Sequence, residues 1–297
     1  MAVGLCLTAV GLGNSAWAGE QKNPPWGLER ISQREAVGNG PHTYAYPDTA
    51  GSGARVYAVG GGVDIKHPEF GGRAVHQEVH KGAIGSGCTL TATPAAAVVA
   101  GNTYGVAKKA KVISVKIGTC DGKATEHDLI PGIAWSIKDN NNAPGGVLFL
   151  AAGAGEKDVE LDKLVAKAHE RGMVVVAGAG MGKADACDYS PGSAAKALTV
   201  AGTTKTDTLM PESTQGKCVD VLAPGANIAS AKTGRGSTTV SGNAMAAGYA
   251  AGVAALLYRD GRTPDEVIAE ILRTSSRDAI KGVNADTPNR LLFHKPA

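Results

Sequence analysis

The sequence predicts an α/β protein with a doubly wound, mainly parallel sheet, helices on both faces and a single domain. Strand-like and helix-like segments alternate along most of the 297 residues. The strand-like runs, such as residues 173–177 (MVVVA), are apolar at nearly every position, which is typical of parallel strands covered on both faces. The 41 glycines exceed ordinary usage and suit the many tight turns of such a fold.

The predicted strands are short apolar runs bounded by glycine or polar residues. In chain order they occupy residues 54–59, 111–117, 146–151, 173–177, 197–201 and 219–222. Each of the first three is separated from the next by a stretch that contains a predicted helix, so we expect these strands to run parallel in one sheet.

The predicted helices have apolar residues near the helical period or a clear start signal. In chain order they occupy residues 95–100, 128–138, 158–170 and 243–258, and a further helix starts at Thr263. Pro131 falls in the first turn of the second helix, where proline is tolerated. In the last predicted helix, Thr263 is the N-cap, Pro264 is the first helical residue and Glu266 is the capping-box partner.

Composition and charge restrict the classes of partner. The formal net charge of +3 is too small to indicate a nucleic-acid or anionic-membrane partner. No apolar run reaches the roughly 18–20 residues of a membrane span. We therefore expect neither a nucleic-acid nor a membrane partner. We also expect a monomer.

The first residues resemble an export signal. Residues 2–13 are apolar or small, and Ala16-Trp17-Ala18 form an A-x-A cleavage pattern, although no positive residue follows Met1. We expect residues 1–18 to be a secretory signal, residues 19–297 to be the domain, and the protein to be extracellular. Removal of the signal would take Cys6 away and leave four cysteines. An even number in an exported chain predicts two disulfides, with three possible pairings.

Local motifs indicate neither a nucleotide site nor a metal site. Glycines 60–62 lack the third glycine of the dinucleotide fingerprint, because that position is Ile65. His76 and His80 are four residues apart, but their segment has no helical apolar stripe, so we expect a solvated loop. We expect the isolated histidines to lie on the surface; they are His67, His127, His169 and His294.

Seven stretches together resemble the subtilisin-like serine proteases, in particular their proteinase K branch. They fall in the order of that family and span roughly residues 24–293. The stretches are residues 25–31, 56–73, 101–112, 174–194, 219–225, 241–257 and 287–293. The resemblance implies a subtilisin-like fold.

The same resemblance implies an Asp–His–Ser triad and an Asn that holds the oxyanion, but other residues occupy the matching positions. Those residues are Gly60, Thr91, Met181 and Ala244. Asn243 also replaces the Thr that precedes the family's Ser. Loss of the whole triad costs a subtilisin about 10⁶-fold in turnover. The sequence therefore predicts a proteolytically inactive pseudoenzyme, with no catalytic residues and no enzyme activity.

An extended peptide or protein segment is the partner that the resemblance implies, since the family's substrate pairs as a strand between two edges. The matching groove residues are Gly122, Lys123, Ala124, Thr125, Glu126, Ala152, Gly153, Ala154, Gly155, Ala179 and Gly180. Two alternatives remain. The chain is a serine endopeptidase that uses unrecognised residues, or it is an artificial sequence whose site has been erased and which has no selected function.

Disulfide pairing and a metal site also follow from the resemblance. Cysteines at matching places in exported relatives imply the pairs Cys88–Cys120 and Cys187–Cys218. The carboxylate of Asp220 and the backbone carbonyls of Ala195 and Ala197 match a calcium site of the proteinase K branch. Oxygen ligands of this kind suit Ca²⁺.

Overall fold

A computed structural model describes residues 19–38, 42–78, 88, 90–121, 126–152, 155–180, 182, 184–258 and 261–294. The predicted signal segment 1–18 lies outside the described residues, so the proposed domain boundary stays a prediction. Within the described part, no helix is long and apolar enough to cross a membrane.

Fifteen strands are present in the described ranges. They are β1 Gly19–Lys22, β2 Thr43–Tyr46, β3 Arg55–Gly60, β4 Ala74–Glu78, β5 Lys111–Lys116, β6 Gly146–Leu150, β7 Gly155–Glu156, β8 Met173–Gly178, β9 Tyr189–Ser190, β10 Ala197–Thr203, β11 Val221–Pro224, β12 Ile228–Ala231, β13 Ser237–Val240, β14 Ser276–Arg277 and β15 Arg290–Leu291. The α-helices are α1 Trp26–Ser32, α2 Thr93–Ala100, α3 Leu129–Asn140, α4 Val159–Glu170, α5 Asn243–Leu257 and α6 Pro264–Thr274.

Nine strands form the central sheet, in the order β14-β15-β11-β10-β8-β6-β3-β5-β4. Every neighbouring pair is parallel except β14 with β15. Three antiparallel pairs, β1 with β2, β7 with β9 and β12 with β13, lie outside this sheet. The predicted doubly wound, mainly parallel α/β fold is confirmed.

Helices cover both faces of the sheet because successive side chains of each strand point to opposite sides. On β3, Val56 and Ala58 belong to the apolar cluster that contains α2 and α5. Tyr57 and Val59 belong to the cluster that contains α3 and α4. The same alternation on β6 and β8 explains why these strands are apolar at nearly every position.

The start of α6 follows the predicted capping box. The side chain of Thr263 accepts a hydrogen bond from the backbone N–H of Glu266 at 3.3 Å. The Glu266 carboxylate accepts one from the Thr263 N–H at 2.7 Å. Two backbone donors that the helix itself cannot pair are thereby satisfied.

Two local expectations are wrong. The segment that contains His76 is not a solvated loop as far as it is described, because Ala74–Glu78 pairs with β5 as the edge strand β4; His80 lies outside the described residues. His67, His169 and His294 are buried, each at 5–6% exposure, and only His127 is exposed as expected. His67 contacts the carbonyl of Gly236 at 3.2 Å, and this partner from a distant loop explains its burial.

Candidate functional site

The described candidate catalytic positions, Gly60, Thr91 and Ala244, lie at the carboxyl edge of the sheet. Gly60 ends β3, which lies between β5 and β6. A Cβ on Gly60 would lie 3.2 Å from the carbonyl carbon of Ala151, the residue after β6. In open α/β sheets, the carboxyl ends of neighbouring strands form the crevice in which ligands bind.

Thr91 packs against the turn that follows β3. Its Oγ1 atom occupies the space in which a Cβ on Gly61 would lie. Two residues later, the Oγ1 of Thr93 donates to the carbonyl of Leu90 at 2.7 Å and accepts from the N–H of Asp64 at 2.9 Å. The start of α2 is thus fixed to the segment after Gly60, and the structure brings positions 60 and 91 together.

Ala244 lies in the first turn of α5, directly after a buried asparagine. The Oδ1 of Asn243 accepts from the N–H of Gly202 at 2.7 Å and from the hydroxyl of Ser213 at 2.8 Å. Its amide nitrogen donates to the carbonyl of Gly180. Asn243 therefore joins α5, β10 and the loop after β8 at one point.

Asn243 is the site residue that sequence reasoning missed, since it was considered only as an altered neighbour of Ala244. Its side chain is 3% exposed and uses both ends of its amide. A buried amide is stable only when its donors and acceptors are paired. The signal in the sequence was an amide in the first turn of an otherwise apolar, alanine-rich helix.

The described parts of the predicted groove follow β5, β6 and β8. Ala152 and Gly155 are half-buried beyond β6. Ala179 and Gly180 are buried beyond β8, where Ala179 N–H donates to the carbonyl of Val200 at 2.9 Å. Several predicted positions lie outside the described residues, and they are Gly122, Lys123, Ala124, Thr125, Gly153, Ala154 and Met181. The assignment of catalytic and groove positions therefore stays a prediction.

Both predicted disulfides are present. Cys88 and Cys120 are bonded, with Cα atoms 4.6 Å apart, and Cys187 and Cys218 are bonded, with Cα atoms 5.2 Å apart. The first bond joins the segment before α2 to the segment after β5. In the chain-entropy account, closing loops of this length stabilises the fold by about 3–4 kcal/mol each.

The predicted calcium ligands include a half-buried carboxylate. The Oδ2 of Asp220 accepts from the N–H of Thr199 at 2.8 Å. Burial raises the pKa of Asp220 to about 6, and the Thr199 N–H and the Arg290 charge offset this only in part. A cation beside this carboxylate would offset the cost of burying its charge, and oxygen ligands of this kind suit Ca²⁺. In the described part of the chain, no group of three or more His, Cys, Asp or Glu side chains could hold a metal ion.

Comparison with known proteins identifies the family. The Subtilase family model of peptidase S8 matches residues 86–291. The chain belongs to the subtilase family. A subtilisin-like protease 5 of Arthroderma gypseum is 39% identical over 93% of this chain and 69% of the relative. The protein of the same name from Trichophyton tonsurans is 38% identical over the same shares.

A solved subtilase has the same architecture. The crystal structure of a cold-adapted subtilisin-like serine proteinase matches with a TM-score of 0.83 and 32% sequence identity. The match covers 91% of this chain and 98% of that one. The subtilisin-like fold predicted from the seven stretches is therefore confirmed, and so is the resemblance to the family.

The expectation that this chain is not an enzyme is contradicted. The relatives are named subtilisin-like proteases, and the matching solved structure is a serine proteinase. The expectation relied on four side chains, whereas the similarity to these proteases covers 93% of this chain in the first relative and 91% in the solved structure.

Proposed function

We propose that this subtilase is an exported protein that binds an extended polypeptide segment in the groove between residues 122–126 and 152–155. One observation carries the proposal. The ends of β3, β6 and β8 and the start of α5 lie at one edge of the sheet, where they place Gly60, Ala151, Gly180 and Ala244. Backbone groups at such edges recognise an extended chain by strand addition, which needs no particular side chain.

Export is supported by the two disulfides, because such bonds persist in oxidising compartments. The A-x-A pattern at residues 16–18 gives the cleavage point of the proposed signal, which would leave residues 19–297 as the mature domain. Sequencing of the amino terminus of secreted protein tests this. A mature chain that still begins at Met1 contradicts it.

Hydrolysis of the bound polypeptide is the second candidate function, and the names of the relatives favour it. Gly60 has no side chain and Ala244 has no hydroxyl group. Peptide hydrolysis through an acyl-enzyme needs a nucleophile and a base within hydrogen-bond reach of each other. Hydrolysis by this chain therefore requires groups other than the residues at positions 60 and 244.

One experiment tests binding and hydrolysis together. An immobilised library of unstructured decapeptides is incubated with the protein, and both retention and fragments are measured by mass spectrometry. We expect retention with dissociation constants in the micromolar range. Fragments, combined with mapping of any residue labelled by a fluorophosphonate, would identify the nucleophile. Absence of both retention and fragments at millimolar peptide would overturn the proposal.

A pair of variants localises the groove. Ala152→Pro removes a backbone N–H from the groove edge, whereas Ala152→Gly keeps it. We expect the first variant to lose peptide retention and the second to keep it, with similar melting temperatures. Equal retention by both variants would show that the peptide binds elsewhere.

Calcium is proposed as a structural cofactor held by Asp220 and the carbonyls of Ala195 and Ala197. The support is the oxygen-only donor set and the raised pKa of Asp220. A bound cation stabilises the folded state by mass action. The melting temperature should therefore be higher in millimolar calcium than in chelator, and equal values would count against the site.

A further inference from the structure

A buried lysine lies beneath the candidate site. Lys116 ends β5 and its side chain is fully buried. Its ammonium donates to the carbonyl of Gly61 at 3.1 Å and to the carbonyl of Thr119 at 3.1 Å. The first carbonyl belongs to the turn after β3, and the second belongs to the segment that leads into groove residues 122–126.

The methylene groups of Lys116 are also closely packed. A Cβ on Gly62 would lie 2.8 Å from the Cδ of Lys116 and 3.0 Å from a methyl group of Leu90. Gly62 also has a φ of +86°, a conformation that favours glycine. A side chain at position 62 would therefore collide with the methylene chain of Lys116, which packs against this turn.

The ammonium of Lys116 and the Cys88–Cys120 bond both join residues 118–121 to the rest of the site. The bond fixes one residue to the segment before α2. The ammonium instead fixes the neighbouring carbonyl of Thr119 relative to Gly61. Together these two contacts fix Thr119 and Cys120, which precede groove residues 122–126, relative to the turn at residues 60–62.

The buried charge of Lys116 is offset by its partners. Burial lowers the pKa of Lys116, and the negative charge of Asp121 opposes the shift. A buried charge is destabilising unless its partners compensate, and here the ammonium is paired with the carbonyls of Gly61 and Thr119. An apolar side chain at position 116 would remove the donor that these two carbonyls share.

We propose that Lys116 is a positioning residue that couples the turn at residues 60–62 to the root of the groove edge at residues 118–121. The role in peptide binding rests on the proposed function of the groove. The coupling itself depends only on the two hydrogen bonds and the packing against Gly62.

The test compares Lys116→Met with Lys111→Met, which changes the exposed lysine at the other end of the same strand. Both keep an unbranched side chain and lose one charge. Amide hydrogen exchange of residues 118–121 and of α5, the melting temperature and library-peptide affinity are measured for each. For Lys116→Met we expect about tenfold faster exchange at residues 118–121 and about tenfold weaker peptide binding, the effect of losing a charged hydrogen bond. The exchange of α5 should be unchanged, because neither carbonyl lies on that helix, and the melting temperature should fall by only about 2–4 °C.

The outcomes separate the two proposals. Unchanged exchange at residues 118–121 in Lys116→Met overturns the coupling, even if the parent binds peptide. Faster exchange in α5 as well assigns the lysine to general stability and also overturns it. Faster exchange limited to residues 118–121, in a protein that binds no peptide, supports the coupling and refutes the proposed function. Lys111→Met should match the parent in every measurement.

Discussion

The Oγ1 atom of Thr91 fills the space beside Gly61 in which a side chain at that position would begin. The two residues are far apart in sequence and lie on different elements, the turn after β3 and the start of α2. Their contact makes a glycine at position 61 and a threonine at position 91 depend on each other. It also brings positions 60 and 91 to the same place in the fold.

Gly61→Ala should destabilise the protein by about 1 kcal/mol, because the side chain of Thr91 must rotate to make room for the added methyl group. Thr91 is exposed, so Thr91→Ala alone should change the free energy of unfolding by less than about 0.5 kcal/mol. The double variant should return to within about 0.5 kcal/mol of the parent, since the obstacle is removed. Urea unfolding measures all three. Additive effects would show that Thr91 Oγ1 is not the obstacle.

Loss of the buried ion pair between Arg30 and Asp207 should be strongly destabilising. The Nε–Oδ1 distance is 2.7 Å, and a second nitrogen lies 3.2 Å from the other carboxylate oxygen. Arg30→Met leaves a buried carboxylate without its partner, which should cost about 3–5 kcal/mol in urea unfolding. Arg273→Met breaks an exposed pair with Glu270 and should cause no resolvable change. Similar effects of the two substitutions would contradict this ranking.

Acid sensitivity should depend on His294. Burial lowers its pKa to about 4 from an ordinary value of 6.5. The unfolded chain therefore binds more protons than the folded chain in this window, and stability falls as the pH drops from 6.5 toward 4. Between pH 7 and pH 5 the loss should be about 2 kcal/mol.

His294→Leu should remove that part of the pH dependence, as measured by urea unfolding at the two pH values. His127→Leu changes an exposed histidine and should keep the parent's pH dependence. The prediction is refuted if the parent and His294→Leu lose the same stability between pH 7 and pH 5.

The calcium effect on melting should grow with pH. Without calcium, the raised pKa of Asp220 means that stability is lost as the pH rises from 3.8 to about 6. Calcium needs the ionised carboxylate, so its stabilising effect should be small at pH 5 and larger at pH 7.5. Asp220→Asn should abolish the calcium effect, whereas Asp286→Asn, at an exposed position, should keep it. An effect that is equal at both pH values would exclude Asp220 as a ligand.

The central strands could be predicted because burial on both faces makes them apolar at every position, as in β6 and β8. Strand β4 was missed because it lies at the sheet edge and has the polar residues His76 and Gln77. The buried histidines were missed for a related reason. His169 is compatible with the interior because its Nε2 lies 2.9 Å from the carboxylate of Asp265, a residue distant in sequence.

The site was predicted only in part. Family motifs located Gly60, Thr91 and Ala244, and the structure brings these elements to one edge of the sheet. The connections between them depend on Asn243 and Lys116, whose partners come from separate segments of the chain. No periodicity or motif shows which carbonyl a buried amide or ammonium will meet, so these roles required the three-dimensional arrangement.

The position of β15 in the sheet has a consequence for synthesis of the protein. This strand pairs with β11 on one side and β14 on the other, although it is the last strand in the described residues. Close behind it, the N–H of His294 donates to the carbonyl of Ile31 in α1 at 2.6 Å. A chain still emerging from the ribosome therefore lacks one edge of its sheet and the anchor of its first helix. The native state forms only after residue 294 has left the exit tunnel, so until then the chain remains incompletely folded.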